Sequence, residues 1–380
     1  MPQIRRDLSL TNQQYGWAVA AFLGAYMVSY VLGGRLADRF GCRRMVTLTT
    51  LLWSLAGLAH GLVRGLGSLA AVRALLGLGE AGFYPAAMRG AAGWFPAKER
   101  SKAVGLILSA LCVGTVITQP VTAWITGRYG WRTSFVATGC LGFLLVVPWL
   151  MLHRRIRQVY GVADPDPALP LDGLVTDQAP TPIGRVLKSR KYWCILGARG
   201  LSDGAWYFYL FWMPGYFQEI QGMSLAAVGR WLWIPYLASG IGAIAGAWAG
   251  SILMHRGFGL DFSRKSVLWP SALLAALGAS AGFVPNHFLA IAVFSIALFG
   301  HQSWSVNIQT LATEITPPRH LAVLYGATGA AGTLMGALAQ LAFGPLIDAA
   351  GYNPVFAVIA LLYVMAGLTL LVAGRLEQIK

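Results

Sequence analysis

Gly34-Arg-Leu-Ala-Asp38-Arg39-Phe-Gly41-Cys-Arg43-Arg44 packs four arginines and one aspartate into eleven residues. Apolar runs flank it, about 14–34 before and 45–63 after. A bilayer-spanning helix needs roughly 20 mainly apolar residues, so the stretch reads as a short polar loop between two membrane helices. Read outward in the same way, the chain holds eleven such runs. They are about 14–34, 45–63, 69–95, 103–126, 133–152, 191–216, 226–254, 267–284, 288–313, 320–349 and 354–374. Of the 380 residues, 56% are hydrophobic and 11% charged, against roughly 25% charged in soluble globular chains. The sequence predicts an all-α polytopic membrane protein with the lipid bilayer as its solvent.

The net charge of +15 raises the possibility of a nucleic-acid partner. The basic residues sit in the loops between apolar runs, where they set orientation instead. Placing the loops 35–44, 98–102, 153–191, 255–265 and 319–320 and the C-terminus on one side gives twenty Lys and Arg there and five opposite. That side is expected to be cytoplasmic, with the N-terminus starting outside. Cys42, Cys112, Cys140 and Cys194 are isolated, and the last three are expected as buried small hydrophobes. Residues 1–13 are polar and the first apolar run is too long for a signal peptide. No metal-ligand cluster, Walker loop, nucleotide fingerprint or Ser-His-Asp set stands out, so enzyme function is not expected.

The polar gap from His153 to Lys191 holds five prolines and is expected to be a linker. It divides the chain into an N-terminal bundle, 1–152, a linker, 153–190, and a C-terminal bundle, 191–380. The bundles repeat. Pro96-Ala-Lys-Glu-Arg-Ser-Lys-Ala-Val-Gly105 matches Pro317-Pro-Arg-His-Leu-Ala-Val-Leu-Tyr-Gly326, and Gly130-Trp131 with Phe135 matches Gly351-Tyr352 with Phe356. All lie at one offset of 221 residues, which predicts two pseudo-symmetric halves. The first half has five runs and the second six, so symmetry places the missing helix at the N-terminus.

Arg73-Ala-Leu-Leu-Gly-Leu-Gly-Glu80-Ala-Gly-Phe-Tyr-Pro85 lies inside the third run. Arg73 and Glu80, seven residues apart, share one helical face with Gly77 and Tyr84. Charges at membrane depth turn to a bundle interior or a water-filled cavity. The rise of 1.5 Å per residue sets the two about 10 Å apart along the axis, far for a direct pair.

The loop Gly34–Arg44 resembles the signature loop between helices 2 and 3 of the major facilitator superfamily. The chain most resembles the anion:cation symporter branch, and within it hexuronate transporters. The residues that carry this are Gln13-Gln14-Tyr15, Gly79-Glu80-Ala81, Trp94-Phe95-Pro96-Ala97-Lys98-Glu99-Arg100-Ser101, Ala205-Trp206, Phe211-Trp212-Met213-Pro214, Ser263-Arg264-Lys265 and Gly300-His301-Gln302. The resemblance implies proton-coupled import of a sugar acid by alternating access, at the inner membrane of a bacterium, by a monomer, with protons as coupling ion and no cofactor. Such transporters carry an arginine in a first helix that faces the substrate carboxylate, and this chain has no counterpart. A misassigned start codon is the favoured account, over a truncated gene or a working eleven-helix form.

On this reading Arg73 attracts the carboxylate and Glu80 exchanges the proton, against a plain buried ion pair as the structural alternative. Tyr26 hydrogen-bonds substrate or packs. Asp203, four residues after Arg199, is a second proton site or merely an intrahelical partner. Trp206, Tyr209 and Trp212 stack on a sugar ring or form a gate, with the interfacial aromatic belt as the bland reading for Trp212, and Pro214 supports bending. His301 and Gln302 bind substrate, or His301 is a satisfied interhelical donor. Thr333 is a weak substrate candidate, and Arg89 is expected to snorkel. Gly34, Asp38, Arg39, Gly41 and Arg43 form a conformational latch by resemblance. The rival readings are a non-transporting remnant or sensor, and a carrier of aromatic or dicarboxylic anions.

Overall fold

A computed structural model describes residues 2–94, 97–160, 183–316, 321–377 and 379, with some side chains inside these spans left undescribed. Helices make up the chain in the order α1 (Pro2–Asp7), α2 (Asn12–Ala59), α3 (Leu66–Ala81), α4 (Phe83–Trp94), α5 (Ala97–Tyr129), α6 (Trp131–Tyr160), α7 (Ile183–Leu187), α8 (Arg190–Phe211), α9 (Met213–Glu219), α10 (Leu225–Trp231), α11 (Trp233–His255), α12 (Leu260–Ala276), α13 (His287–Ile315), α14 (Leu321–Ala350) and α15 (Tyr352–Ala373). Among the described residues nine spans are long and apolar enough to cross a bilayer. Two further helices, α5 with 33 residues and α8 with 22, have spanning length. The anticipated linker begins later than its composition suggests, because α6 runs on to Tyr160. Residues 161–182 of it lie outside the described residues.

Helix boundaries follow from punctuation in the sequence. Thr11 opens α2 with a capping box: its hydroxyl accepts from the Gln14 N–H at 3.1 Å, and the Gln14 amide oxygen accepts from the Thr11 N–H at 3.0 Å. The long α2 is two helices in one, broken at Gly41 with φ 77° and ψ 162°. That left-handed φ is available to glycine at no steric cost, which explains the glycine in the polar loop. The run 69–95 is likewise interrupted, at Gly82, where Pro85 has no N–H to continue the α3 ladder. Trp212 before Pro214 breaks α8 from α9, and Leu232 before Pro235 breaks α10 from α11.

The 221-residue repeat is visible in these boundaries. The starts of α3 and α13, the starts of α6 and α15, and the ends of α5 and α14 all differ by that offset. Gly130 and Gly351, which separate the paired helices, both have positive φ, 85° and 74°.

The halves meet along α2 and α14 and where α10 lies on α5. One end of this seam carries Asp348. There Asn12 and Gln13 bond the Asp348 carboxylate, Arg5 pairs with Glu219, and Tyr15 sets its ring edge against Trp212 with centroids 5.4 Å apart. The opposite end carries the Gly34–Arg44 loop. The largest core lies in the C-terminal half, built on Phe208, Tyr216, Phe294 and Phe356, and Tyr15, Val19, Phe22 and Leu23 of α2 join it. Large apolar side chains outside, such as Leu144, Trp248 and Leu361, are exposed and suit contact with lipid. Cys140 is exposed in the same way on α6, contrary to the burial expected of it, because that face of α6 points away from the bundle; Cys112 has no described side chain.

Candidate functional site

The N-terminal half of the site is set by a close helix crossing. A Cβ on Gly77 would lie 2.2 Å from the Phe22 carbonyl oxygen and 3.0 Å from the Tyr26 nitrogen, so α3 lies directly on the α2 backbone. One turn later Glu80, half-buried, comes within electrostatic reach of the Tyr26 hydroxyl. The Tyr26 hydroxyl also lies within the electrostatic reach of Tyr30, Tyr84 and Tyr207. Tyr26 stacks on Tyr30 with centroids 6.2 Å apart.

Arg73 shares the stripe but not the setting. It is buried, its guanidinium lies 5.6 Å from the centre of the Phe135 ring, and its Nε has no hydrogen-bond partner. Phe135 in turn stacks on His60 at 4.1 Å. Arg73 and Glu80 make no ion pair among the described residues, although the Arg73 charge is felt at Glu80, Tyr15 and His60. The spacing that puts both on one face also separates them by two turns, and the Arg73 side chain turns toward α6.

The C-terminal half contributes a stripe of α8. Asp203, Trp206, Tyr207 and Leu210 are all half-buried, at the 3- and 4-residue steps of one helical face. Arg199 Nε donates to Asp203 Oδ2 at 3.4 Å, and its Nη1 donates to Thr328 Oγ1 of α14 at 3.1 Å. The intrahelical partnership expected of Asp203 is therefore present, at a long distance. α14 accepts this stripe through two glycines. A Cβ on Gly332 would sit 2.0 Å from Asp203 Oδ2, and one on Gly336 would sit 2.1 Å from the Tyr207 ring. Thr333 is buried, bonds the Gly329 carbonyl at 3.0 Å, and lies within hydrogen-bonding reach of Tyr207.

Together these groups bridge the seam. Glu80 lies within electrostatic reach of Tyr26, Tyr26 of Tyr207, and Tyr207 of Asp203 and Arg199. Tyr30 touches both sides, its ring 2.6 Å from where a Gly329 Cβ would be. Tyr84 stands on the stripe that the sequence marks, whereas Tyr30 and Tyr207 are not among the sequence candidates, yet Tyr207 follows Asp203 by one helical turn and Tyr30 follows Tyr26 likewise. A search along each candidate's own face finds them. Nothing in the sequence announces the link from Arg199 to Thr328, because the two are 129 residues apart.

The aromatic trio of α8 does not act as one surface. Steps of three residues rotate by about 60° each on a 3.6-residue helix. Trp206 stays half-buried on the Asp203 face, while Tyr209 and Trp212 turn into the core. Trp212 is 1% exposed and donates from Nε1 to Gln340 Oε1 at 2.6 Å, so it belongs to no interfacial belt. His301 is 1% exposed, stacked on Trp206 at 4.7 Å and 7°, with its Nδ1 2.6 Å from the Tyr363 hydroxyl. This is the satisfied interhelical arrangement. Gln302 beside it is half-buried. At the repeat offset His301 occupies the place that Glu80 holds in the first half.

In the loop at the far end Gly41 makes the turn, Arg39 is exposed with its guanidinium 5.6 Å from the Phe40 ring, and Arg43 is half-buried. The packing of Gly34 and the side chains of Asp38 and Arg89 lie outside what the structure describes. Among the described residues no group of three His, Cys, Asp or Glu could hold a metal ion.

The Major Facilitator Superfamily profile matches residues 1–340. The chain is 29% identical over 376 residues to the hexuronate transporter of Escherichia coli (strain K12), covering 97% of this chain and 87% of that one. It is 27% identical to a D-galactonate transporter of Escherichia coli O6:H1, covering 99% and 90%. It is 29% identical to a probable galactarate/D-glucarate transporter of Escherichia coli (strain K12), covering 92% and 82%. In fold it is similar to a crystal structure of a bacterial homologue of the human lysosomal transporter Spinster, inward-facing and occupied. That match has a TM-score of 0.76 at 17% identity and covers 98% of this chain and 91% of that one. Two repeated helix bundles, a polar bridge across their seam and these likenesses agree on a multi-pass membrane transporter rather than an enzyme: the chain belongs to the major facilitator superfamily.

Proposed function

We propose that the protein imports a sugar acid of the hexuronate kind, or a related organic anion, by proton-coupled alternating access. The observation that carries this reading is the set Glu80, Tyr26, Tyr207 and Asp203, an acid from each half with tyrosines between them, each within electrostatic reach of the next. When the halves rock about such a site, the surroundings of both acids change together, which couples their protonation to the state of the seam. Arg73, with an unpartnered Nε, supplies positive charge for a carboxylate. Tyr26, Trp206 and Gln302 contact substrate, with His301 behind Trp206, and Glu80 and Asp203 exchange the coupling protons. The loop residues Gly34, Asp38, Arg39, Gly41 and Arg43 latch the halves at the opposite end. In this reading that loop and the C-terminus face the cytoplasm of a bacterium and the Asp348 end faces outside, which the excess of Lys and Arg supports. Relatives named for hexuronate, galactonate and galactarate transport support the class of cargo.

The test is uptake of labelled galacturonate into proteoliposomes. Wild type accumulates it when a proton gradient is imposed, and Glu80→Gln loses that accumulation but keeps exchange of internal for external substrate. Gradient-driven accumulation at the wild-type rate in Glu80→Gln removes Glu80 from proton coupling. Absence of any sugar-acid exchange by folded wild type removes the cargo assignment and favours a sensor or a different anion.

A further inference from the structure

We propose that Trp206 is the ring-selecting surface of the transport site, a flat platform braced by His301 and Tyr363 that favours pyranose acids over open-chain sugar acids. This rests on the sugar-acid reading above and deepens it. The indole and imidazole planes are 7° from parallel with centroids 4.7 Å apart, so His301 covers one face of Trp206. His301 itself has no freedom to drift. It is 1% exposed, and its Nδ1 is held by the Tyr363 hydroxyl at 2.6 Å.

Trp206 is nonetheless only half-buried. With one face covered, its remaining exposure belongs to the other face and the edges. The residue stands on the α8 stripe with Asp203 and Tyr207, which meets the groups of the N-terminal half at the seam. The exposed part of the indole stands about one helical turn from the Asp203 carboxylate, which accepts hydrogen bonds from hydroxyl groups.

That combination discriminates by shape. A pyranose offers a rigid face of C–H bonds to an aromatic plane and its hydroxyls at the rim. An open-chain acid has no such face and must order several torsions to imitate one. His301 is a positioning residue here. It reaches no substrate, and it acts by holding the indole plane that does.

The experiment uses the full chain in proteoliposomes without a proton gradient, reading exchange of labelled galacturonate. Competitors are glucuronate as a ring acid, and galactonate and galactarate as open-chain acids. Trp206→Leu is expected to weaken the ring acids roughly five- to tenfold, with open-chain acids moving by less than about twofold. His301→Ala moves ring acids in the same direction by less, and His301→Phe, which restores a flat partner, recovers them. Equal weakening of both classes in Trp206→Leu, or no change in either, overturns the proposal. So does a folded His301→Phe that recovers nothing. If His301→Ala does not fold, the Trp206→Leu comparison decides alone. Wild type that exchanges no sugar acid fails the cargo reading and this inference together, whereas normal exchange with unchanged ring preference in Trp206→Leu fails this inference alone.

Discussion

Asp348, in the last turn of α14, caps the first turn of α2 from across the seam. Its Oδ2 accepts from the Gln13 N–H at 2.8 Å, and its Oδ1 accepts from the Asn12 N–H at 3.1 Å and the Asn12 amide at 2.7 Å. Thr11 supplies the next amide, Gln14, from within the chain's own helix end. The first donors of a helix have no partner inside it, and two of them here find their acceptor in the other half. Separation of the halves at this end leaves those donors and the anion to water. Asp348→Ala is expected to loosen the seam by about 1 kcal/mol. Hydrogen exchange at Asn12 and Gln13 should then rise roughly fivefold. Unchanged exchange would mean that the cap does not hold the halves together.

Three glycines separate packing from function. Gly77→Ala places a methyl group against α2 backbone and is expected to cost about 1–3 kcal/mol, read as a lower thermal midpoint in detergent. Gly24→Ala, on the same α2, meets nothing within 4 Å and should leave the midpoint level or slightly raised. Gly332→Ala meets a movable carboxylate, Asp203, and is expected to suppress transport while moving the midpoint little. A Gly332→Ala protein with normal transport would remove Asp203 from the site.

Arg264 of α12 is held on three sides. Its Nε and Nη2 donate to the two Glu314 oxygens at 2.9 and 2.5 Å, and its Nη1 donates to Asn307 Oδ1 at 2.8 Å. Removing one member strands Glu314 in a poorly solvated place, so Arg264→Ala should destabilise by about 3–5 kcal/mol. Arg264→Lys keeps the charge but not the fork and should recover only part of this. Denaturation of the purified variants in detergent provides the comparison, and a loss below about 1 kcal/mol in Arg264→Ala would place the pair in the weak surface class.

Asp7 ties α1 to the start of α6. It pairs with Arg132 and accepts from Trp131 Nε1 at 3.0 Å. The Arg132 hydrogen bond, then that of Trp131, holds its carboxyl below the ordinary aspartate range. A depressed carboxyl adds stability that is present above its unfolded pKa, about 3.9, and is lost as pH falls through the lower folded value. Wild type should therefore exceed Asp7→Asn in thermal midpoint above about pH 4, with the gap closing as the pH is lowered further. A gap independent of pH would assign the contact to packing alone.

Much of the architecture was legible in the residues. Apolar runs marked the spans because bilayer thickness sets a helix length, and the two repeats marked the halves because equivalent helices carry equivalent turns. Gly41, Gly130 and Gly351 stand where the backbone needs positive φ. The site was legible only in part. Glu80 and Tyr26 share one neighbourhood and Asp203 and Trp206 share one face of α8, but the stripe that joined Arg73 to Glu80 did not reveal that Arg73 turns toward Phe135. Spacing gives a face, and a long side chain leaves that face in more than one direction.

The sequence by itself determined the spans, the division into bundles, the repeat and the polar loop, since each follows from local composition and backbone chemistry. Tertiary structure alone decided that His301 stands behind Trp206, that Tyr207 comes within electrostatic reach of both Tyr26 and Asp203, and that Asp348 caps a helix 336 residues away. These depend on how closely separate helices approach, which is fixed by paired small residues and side-chain rotamers far apart in the chain. The Gly34–Arg44 stretch fixed the chain's family, and the seam fixed which of its polar residues meet.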